Sequence, residues 1–125
     1  MGYTGFKDLI AYKKGFRQAM NIYELSKIFP KDEKYSLTDQ IRRSSRSVCA
    51  NLAEAYRKRD YPKHFHLKMT DCLGENDETS FWLDIAKECN YISQEAYGEH
   101  TKENEEVGKL LTYMINNPGK FGVKA

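Results

Sequence analysis

The sequence predicts an all-α protein, folded as an antiparallel up-down four-helix bundle, and three observations support this. Apolar residues recur at three- and four-residue spacing in four stretches of about 20 to 28 residues. Short segments with turn-forming residues separate these stretches, and no alternating strand pattern is found. The chain has 125 residues, which suits one domain over residues 1–125. Long helices joined by short turns pack as antiparallel neighbours in such a bundle.

The first predicted helix covers residues 6–28. Its large apolar side chains recur at helical spacing and are expected to face the core: Phe6, Leu9, Phe16, Met20 and Tyr23. The helix is expected to end before the Phe29-Pro30 pair, because a residue that precedes proline avoids the helical region.

The second predicted helix covers residues 37–58. Ser36 is the expected N-cap, and Asp39 suits the positive end of the helix dipole. The inward stripe is formed by Leu37, Ile41, Ser45, Val48, Leu52 and Ala55.

The third predicted helix covers residues 62–90 and begins at Pro62, a favourable first position. Its centre, residues 74–79, is unusually polar. Two alternatives are therefore open, namely one continuous helix and a break into two helices at this point. Asn76 and Thr79 are expected to point inward and to need hydrogen-bond partners. The apolar face comprises Phe65, Met69, Cys72, Leu83, Ile85, Ala86 and Cys89.

The fourth predicted helix covers residues 94–116. Ser93 is its expected N-cap, and Asn117-Pro118-Gly119 ends it. One face of this helix carries its large apolar side chains: Tyr97, Val107, Leu110, Leu111 and Met114.

Composition indicates where the protein is located in the cell and argues against disulfide and zinc sites. No apolar run reaches the roughly 18 residues of a membrane helix, and the first residues lack the apolar core of a signal peptide, so a cytoplasmic location is expected. Three widely spaced cysteines form neither a disulfide framework nor a zinc pattern. Each of Cys49, Cys72 and Cys89 is expected to act as a small buried apolar residue.

No catalytic motif is found, so the chain is predicted not to be an enzyme and to need no cofactor. No Glu-x-x-His motif is present, and His64 and His66 point to different sides of a helix, so no metal site is predicted. His100 is expected to be a hydrogen-bonded core residue. The carboxylates at positions 75, 77 and 78 are expected to form a solvated face or a subunit contact.

The charges are unevenly distributed along the chain, although the formal net charge is only +2. Residues 1–68 contain 15 Lys and Arg against 7 Asp and Glu, whereas residues 69–125 contain 5 against 11. Such a division favours a polyanionic partner, complementary packing between subunits, or pairing of helices within one bundle.

The second helix has a basic outer face. Arg42, Arg46 and Arg57 fall within an arc of roughly 60° at 100° per residue, and small alanines lie between them. The candidate phosphate-binding residues are Arg42, Arg43, Arg46, Arg57, Lys58 and Arg59. Three interpretations remain open, namely an RNA or DNA backbone site, a subunit interface and a solvated helix face.

Several motifs resemble a known family, the four-helix-bundle proteins associated with 23S rRNA intervening sequences. The resemblance covers nearly the whole chain and is most specific in the second helix. It rests on Phe6-Lys-Asp-Leu-Ile-Ala-Tyr12, Ile22-Tyr-Glu-Leu25, Tyr35-x-Leu37-Thr38-x-Gln40-Ile41-Arg42-Arg43-Ser44, Ser47-Val48-x-Ala50-Asn51-Leu52-Ala53-Glu54, Glu78-Thr79-x-x-Trp82-Leu83, Asn90-Tyr91-Ile92-Ser93 and Met114-Ile-Asn-Asn-Pro118.

The resemblance implies an antiparallel four-helix bundle that assembles as a ring-like homopentamer and has no attached enzymatic activity. Ala55 stands where the family often has glycine, and Gly74-Glu75-Asn76 replaces a small, apolar stretch. The predicted function, based on the basic face of the second helix, is RNA or other nucleic-acid binding by an oligomeric, non-enzymatic bundle through a basic surface assembled across subunits. The alternative is a protein–protein adaptor or scaffold in which the basic face of the second helix is a subunit interface.

Overall fold

The structure, a computed structural model, describes residues 5–125 and contains four α-helices within them. These are α1 (Ile10–Ser26), α2 (Asp39–Arg57), α3 (Pro62–Glu88) and α4 (Gln94–Asn116). Short 3-10 turns cover Phe6–Asp8, Lys31–Glu33 and Pro118–Phe121, and a π turn covers Lys34–Thr38. No strand occurs in this part of the chain, so the all-α prediction is confirmed. Residues 1–4 of the predicted domain lie outside the described residues.

Contacts between successive helices pair the start of one with the end of the next. The Cys49 thiol, in the second half of α2, lies 3.4 Å from the carbonyl oxygen of Tyr12, early in α1. Arg42, early in α2, donates to Ser26 at the end of α1. The same reversal is seen in the pairs Glu54–Lys68, Ser44–Thr79, Asn76–Asn104 and Asp84–Tyr97. The helices therefore run up and down in turn, and α4 closes the bundle against α1.

Two apolar clusters fill the interior, one near each end of the bundle. The first surrounds Leu52, Phe65 and Leu111 and includes the C-terminal Val123. The second surrounds Ile41 and Leu83 and is closed by the connections between helices. Between them lies a layer of buried polar side chains: Gln18, Ser44, Asn76, Thr79 and Asn104.

The polar layer is hydrogen-bonded throughout, as the cost of burying an unpaired polar group requires. Gln18 Nε2 donates to Asn76 Oδ1 at 3.0 Å, and Asn104 Nδ2 donates to Gln18 Oε1 at 2.8 Å. Asn76 Nδ2 donates to the backbone oxygen of Asn104 at 3.0 Å. The hydroxyls of Ser44 and Thr79 share a bond of 2.8 Å. The inward orientation predicted for Asn76 and Thr79 is confirmed, whereas Gln18 and Asn104 were not predicted.

The inward face predicted for the first helix is wrong at Phe16 and Met20, and Tyr23 of the same face is only half-buried. Phe16 is 52% exposed and Met20 is 49% exposed. The buried face consists instead of smaller or polar residues: Ala11, Gly15, Gln18, Ala19, Ile22 and Ser26. Close packing against α2 explains this choice, because a Cβ atom at Gly15 would lie 3.0 Å from the Cys49 sulfur.

The first helix is also shorter than the predicted range 6–28. Leu9 has extended backbone angles, so Phe6–Asp8 forms a separate 3-10 turn before α1 begins. After Ser26 the hydrogen bonds tighten to three-residue spacing, from Lys27 N to Glu24 O and onward to Phe29 N. Both ends therefore fray into tighter turns, as is common at helix termini.

The predicted N-cap of the second helix is wrong. Ser36 Oγ donates to Glu33 Oε1 at 2.9 Å rather than capping the helix. The preceding turns merge into α2, and Asp39 N already bonds to the Lys34 carbonyl. No side-chain cap is formed at Thr38. The predicted inward stripe is confirmed at all six positions: Leu37, Ile41, Ser45, Val48, Leu52 and Ala55.

The third helix is continuous, so the break considered near its polar centre does not occur. It ends at Glu88 because Asn90 adopts a left-handed conformation with φ of 63°, and Tyr91 N bonds back to Ala86 O. Cys89 therefore lies beyond the helix and is exposed, contrary to the prediction, whereas Cys49 and Cys72 are buried.

The fourth helix matches its predicted range, and its N-cap is confirmed because Ser93 Oγ accepts from Ala96 N at 3.0 Å. Beyond α4, Pro118–Phe121 returns toward the α2–α3 turn and buries Val123. None of the helices described for residues 5–125 is both long and apolar enough to cross a membrane.

Candidate nucleic-acid interface

The six predicted cations form two separate groups, one in the N-terminal half of α2 and one at its C-terminal end. Arg42, Arg43 and Arg46 lie in the first half of α2, whereas Arg57, Lys58 and Arg59 lie where it ends. At 1.5 Å per residue, Arg42 and Arg57 are about 22 Å apart along the helix axis. The structure therefore presents two groups of cations rather than one compact patch.

Arg42 and Arg46 are held over an aromatic ring of α1. Arg42 Nε donates to Ser26 Oγ at 2.7 Å, and its guanidinium carbon lies 4.6 Å from the Tyr23 ring centroid. The Arg46 guanidinium lies 5.7 Å from the same centroid. Stacking of this kind orients a guanidinium without neutralising it. Neither arginine forms an ion pair among residues 5–125.

Arg43 differs because two carboxylates of α3 neutralise it. Its guanidinium lies 3.2 Å from Glu75 Oε1 and forms a short hydrogen bond with Glu78 Oε2. Trp82 Nε1 donates to the same Glu78 oxygen at 3.0 Å. Hydrogen bonds, first from Arg43 and then from Trp82, hold the pKa of Glu78 below its usual value. The acidic cluster predicted to be a solvated face or subunit contact is thus partly an intramolecular partner of Arg43.

Arg57 and Lys58 are exposed, and the part of the chain that the structure describes shows no ion pair for either. Arg59 is half-buried. Its guanidinium lies 3.5 Å from the Tyr56 ring centroid, and it donates to the backbone oxygens of Tyr56 and Phe121 at 2.9 and 3.3 Å. Arg59 thereby clamps the C-terminal segment to the end of α2, and within residues 5–125 it forms no ion pair.

The C-terminal segment is shaped to receive Arg59. Gly122 has φ of 83°, and a Cβ atom there would lie 2.8 Å from the Arg59 guanidinium. Lys124 N also donates to the Arg59 carbonyl at 3.1 Å. A larger residue at Gly122 would therefore disturb both the backbone and this contact.

The first group of arginines borders an exposed apolar strip of α1. A surface pocket on the outer side of α2 is lined by Asp39, Arg42, Arg43, Arg46, Ser47 and Ala50. Tyr23 adjoins it and was predicted to face the core, but the structure places it half-buried under the arginines. The rings of Tyr12 and Phe16 continue the same side of α1 and lie 6.0 Å apart. The pattern of α1 alone contains no signal for this contact, because it depends on how α2 packs.

The other titratable residues with roles predicted from the sequence are His100 and the three cysteines. His100 is half-buried, and its Nδ1 atom is buried without a hydrogen-bond partner, so the predicted hydrogen-bonded core role is wrong. Burial lowers its pKa, and Glu103 and Glu99 oppose that shift. Burial raises the pKa of Cys49 to about 12. Within residues 5–125 no group of three His, Cys, Asp or Glu is arranged to hold a metal ion.

Comparison with known proteins identifies similar sequences and a similar fold. The family model described as 23S rRNA-intervening sequence protein matches residues 7–113. A solved structure of a protein of unknown function, from the S23 ribosomal protein family of Bacteroides thetaiotaomicron, is 31% identical to this chain. The match covers 88% of this chain and 98% of that one, with a TM-score of 0.78. No curated protein matches.

Proposed function

The chain belongs to the family of 23S rRNA-intervening sequence proteins, and we propose that it is a non-enzymatic, self-associating bundle that binds RNA. Of the six predicted cations, the phosphate contacts are assigned to Arg42, Arg46, Arg57 and Lys58. Arg43 is paired with Glu75 and Glu78, and Arg59 holds the C-terminal segment. The Bacteroides relative is a protein of unknown function. The proposal therefore rests on the residues of this chain.

The observation that carries the proposal is the uncompensated charge of α2 and its C-terminal end. Of the six cations, only Arg43 forms an ion pair among the described residues. A cation that has no internal carboxylate partner retains its full attraction for phosphate, and releasing counterions from RNA drives the binding. Planar guanidinium groups also match phosphate oxygens in a bidentate manner.

Self-association would strengthen this binding. One subunit offers few cations, but a ring of subunits such as the resemblance implies would repeat them about one axis, so that affinity gains from avidity. Support for a subunit contact comes from Phe16 and Met20, which are exposed apolar side chains of α1. Ala50, a small exposed residue, lies on the neighbouring face of α2. Small residues allow another backbone to approach closely.

The test of RNA binding is a titration of labelled mixed-sequence RNA followed by fluorescence anisotropy at several salt concentrations. If Arg42, Arg46, Arg57 and Lys58 each neutralise one phosphate, the log–log slope should be about −3 for a single strand. Arg46→Ala should reduce the magnitude of this slope by about 0.7. Lys102→Ala is the matched control, because it removes an equal charge at an exposed position of α4. It should leave the slope unchanged. Affinity independent of salt would contradict the proposal.

The adaptor function is the second candidate, because the same exposed apolar residues of α1 would suit a protein partner. Light scattering on the variant Arg42→Glu with Arg46→Glu separates the two functions. Loss of RNA binding with an unchanged oligomer supports phosphate contacts, whereas conversion to monomers places the arginines between subunits and favours the adaptor. If the oligomer and the RNA affinity are both unchanged, neither assignment of these arginines is correct.

A further inference from the structure

The two ends of the bundle carry opposite charge, which the linear sequence does not reveal. The up-down topology brings residues 5–9, residues 57–66 and residues 117–125 to one end, here called the basic end. This end contains seven Lys and Arg against two carboxylates, Asp8 and Asp60. The cations are Lys7, Arg57, Lys58, Arg59, Lys63, Lys120 and Lys124. All but Arg59 are exposed.

The opposite end is acidic. It is formed by residues 24–39 and residues 84–95, which contain four lysines against seven Asp and Glu. At the basic end, the one ion pair found among described residues joins Lys124 and Asp60 at 3.7 Å, and both side chains are about two-thirds exposed. Solvent screens such an exposed pair, so it neutralises little of the positive field. A polyanion is therefore attracted to one end of the bundle in preference to the other.

Tyr61 gives the basic end a binding element that phosphate attraction alone does not provide. It is 60% exposed and lies in the turn between α2 and α3. Its backbone is fixed, because its N–H donates to Lys58 O at 2.8 Å and its carbonyl accepts from Phe65 N at 2.9 Å. The His64 ring packs edge-on against it, with the centroids 6.0 Å apart. The aromatic ring is thus positioned in advance while most of its surface remains open to solvent.

From this arrangement we propose that the basic end binds single-stranded RNA, with an unpaired base stacked on Tyr61 and adjacent phosphates held by Lys58 and Lys63. An exposed ring flanked by cations is the combination that single-strand binding uses, since every base has a face that can stack. Bases within a duplex are already stacked on one another and do not reach such a ring.

This inference rests on the proposed RNA-binding function and names the form of RNA. The basic end is continuous with the α2 surface because Arg57 belongs to both. A pocket beside Tyr56 is lined by both Arg57 and Arg59, together with Phe6 and backbone of the C-terminal segment. The same pocket includes Ala53 of α2 and the carboxylate Asp60, so it joins the basic end to the outer side of α2.

The test compares one unstructured RNA with its blunt duplex of equal length, using fluorescence anisotropy at fixed low salt and the full chain. Tyr61→Ala should weaken binding of the single strand by about 5- to 150-fold, the range expected from the loss of one stacked base. Tyr61→Phe keeps the ring and should bind like the unmodified protein. Tyr35→Ala is the matched control, because Tyr35 is 75% exposed beside Lys34 at the acidic end, and it should have no effect.

The outcomes separate this inference from the proposed function. Binding of neither RNA by the unmodified protein overturns both. Binding that Tyr61→Ala leaves unchanged, or that Tyr35→Ala weakens equally, overturns only the stacking site, as does tighter binding of the duplex. Circular dichroism of each variant confirms that the bundle is intact. A loss confined to the single strand and to Tyr61→Ala, with rescue by phenylalanine, supports the proposal.

Discussion

Arg43 and Arg46 lie one turn apart on α2, yet their neighbours give them different capacities to bind phosphate. The carboxylates of Glu75 and Glu78 occupy the guanidinium of Arg43. The Arg46 guanidinium lies near the Tyr23 ring and keeps its charge. Because ring stacking orients a cation without neutralising it, Arg46 is the better phosphate ligand of the two.

At the residue scale, His100 should make stability depend on pH. Burial lowers its pKa in the folded chain, so between that value and its usual value of 6.5 the unfolded chain binds more protons. The contribution of the neutral imidazole to the free energy of unfolding is therefore complete above pH 6.5. This contribution is lost as the pH falls toward the pKa of His100 in the folded chain. Thermal unfolding of His100→Gln should show a smaller decrease in Tm from pH 7.5 to pH 5 than the unmodified protein.

Nearby carboxylates limit this effect but do not reverse it. Glu103 and Glu99 on α4 favour the protonated ring, and Glu24 of α1 lines the same surface pocket. Both carboxylates remain in His100→Gln, so the difference between the two proteins reports the imidazole together with its attraction to these carboxylates. If Tm decreases by the same amount in both, burial of the imidazole has no linked effect on stability.

At the scale of the element, α3 shows why a polar helix centre need not be a break. Asn76 and Thr79 face inward and are hydrogen-bonded, whereas Gly74 lies on the exposed side with nothing near its missing Cβ atom. The glycine is therefore tolerated at the helix interior rather than required there. Its cost is conformational, since glycine loses more backbone freedom than alanine when a helix forms.

Gly74→Ala should consequently stabilise the protein by about 0.5–1 kcal/mol, measured by urea denaturation. Gly15→Ala is the matched comparison in α1. There the new Cβ atom would lie 3.0 Å from Cys49 Sγ and in contact with Val48, so the gain in helix propensity is opposed by crowding. Equal stabilisation by both substitutions would contradict the close approach of α1 and α2 at Gly15.

At the scale of the whole molecule, the buried polar layer fixes how three helices align. Gln18 of α1, Asn76 of α3 and Asn104 of α4 bond to one another between the two apolar clusters. A helix that shifted along its axis would leave these amides unpaired in the interior, which is costly. The apolar clusters supply burial on either side, while the amides favour one register.

Asn76→Ala should therefore destabilise the bundle by at least about 2 kcal/mol, because the buried Gln18 Nε2 loses its acceptor and the Asn104 carbonyl oxygen loses its side-chain donor. Asn21→Ala is the control. Asn21 bonds to Glu103 on the exposed surface, and its loss should change the free energy of unfolding by no more than about 0.5 kcal/mol. Urea denaturation measures both. A similar small change for Asn76→Ala would show that the network adds little to stability.

Much of the fold could be predicted from the sequence, because helical periodicity and turn residues act locally. The four helices, the inward stripe of α2, the Ser93 cap and the inward position of Asn76 all follow from spacing and side-chain chemistry. Errors occurred where a neighbouring element determined the outcome. In α1 the close approach of α2 selects small residues for burial, so the large Phe16 and Met20 lie outside.

In the candidate site, too, some features follow from the sequence and others from tertiary packing. The sequence by itself determined the all-α class, the family and the excess of positive charge in residues 1–68, because each depends only on residue type and order. Tertiary packing decided that Arg43 meets Glu75 and Glu78, that Arg59 holds the C-terminal segment, and that cations from three chain segments gather at one end. These outcomes depend on distances between residues remote in sequence, which local periodicity does not encode.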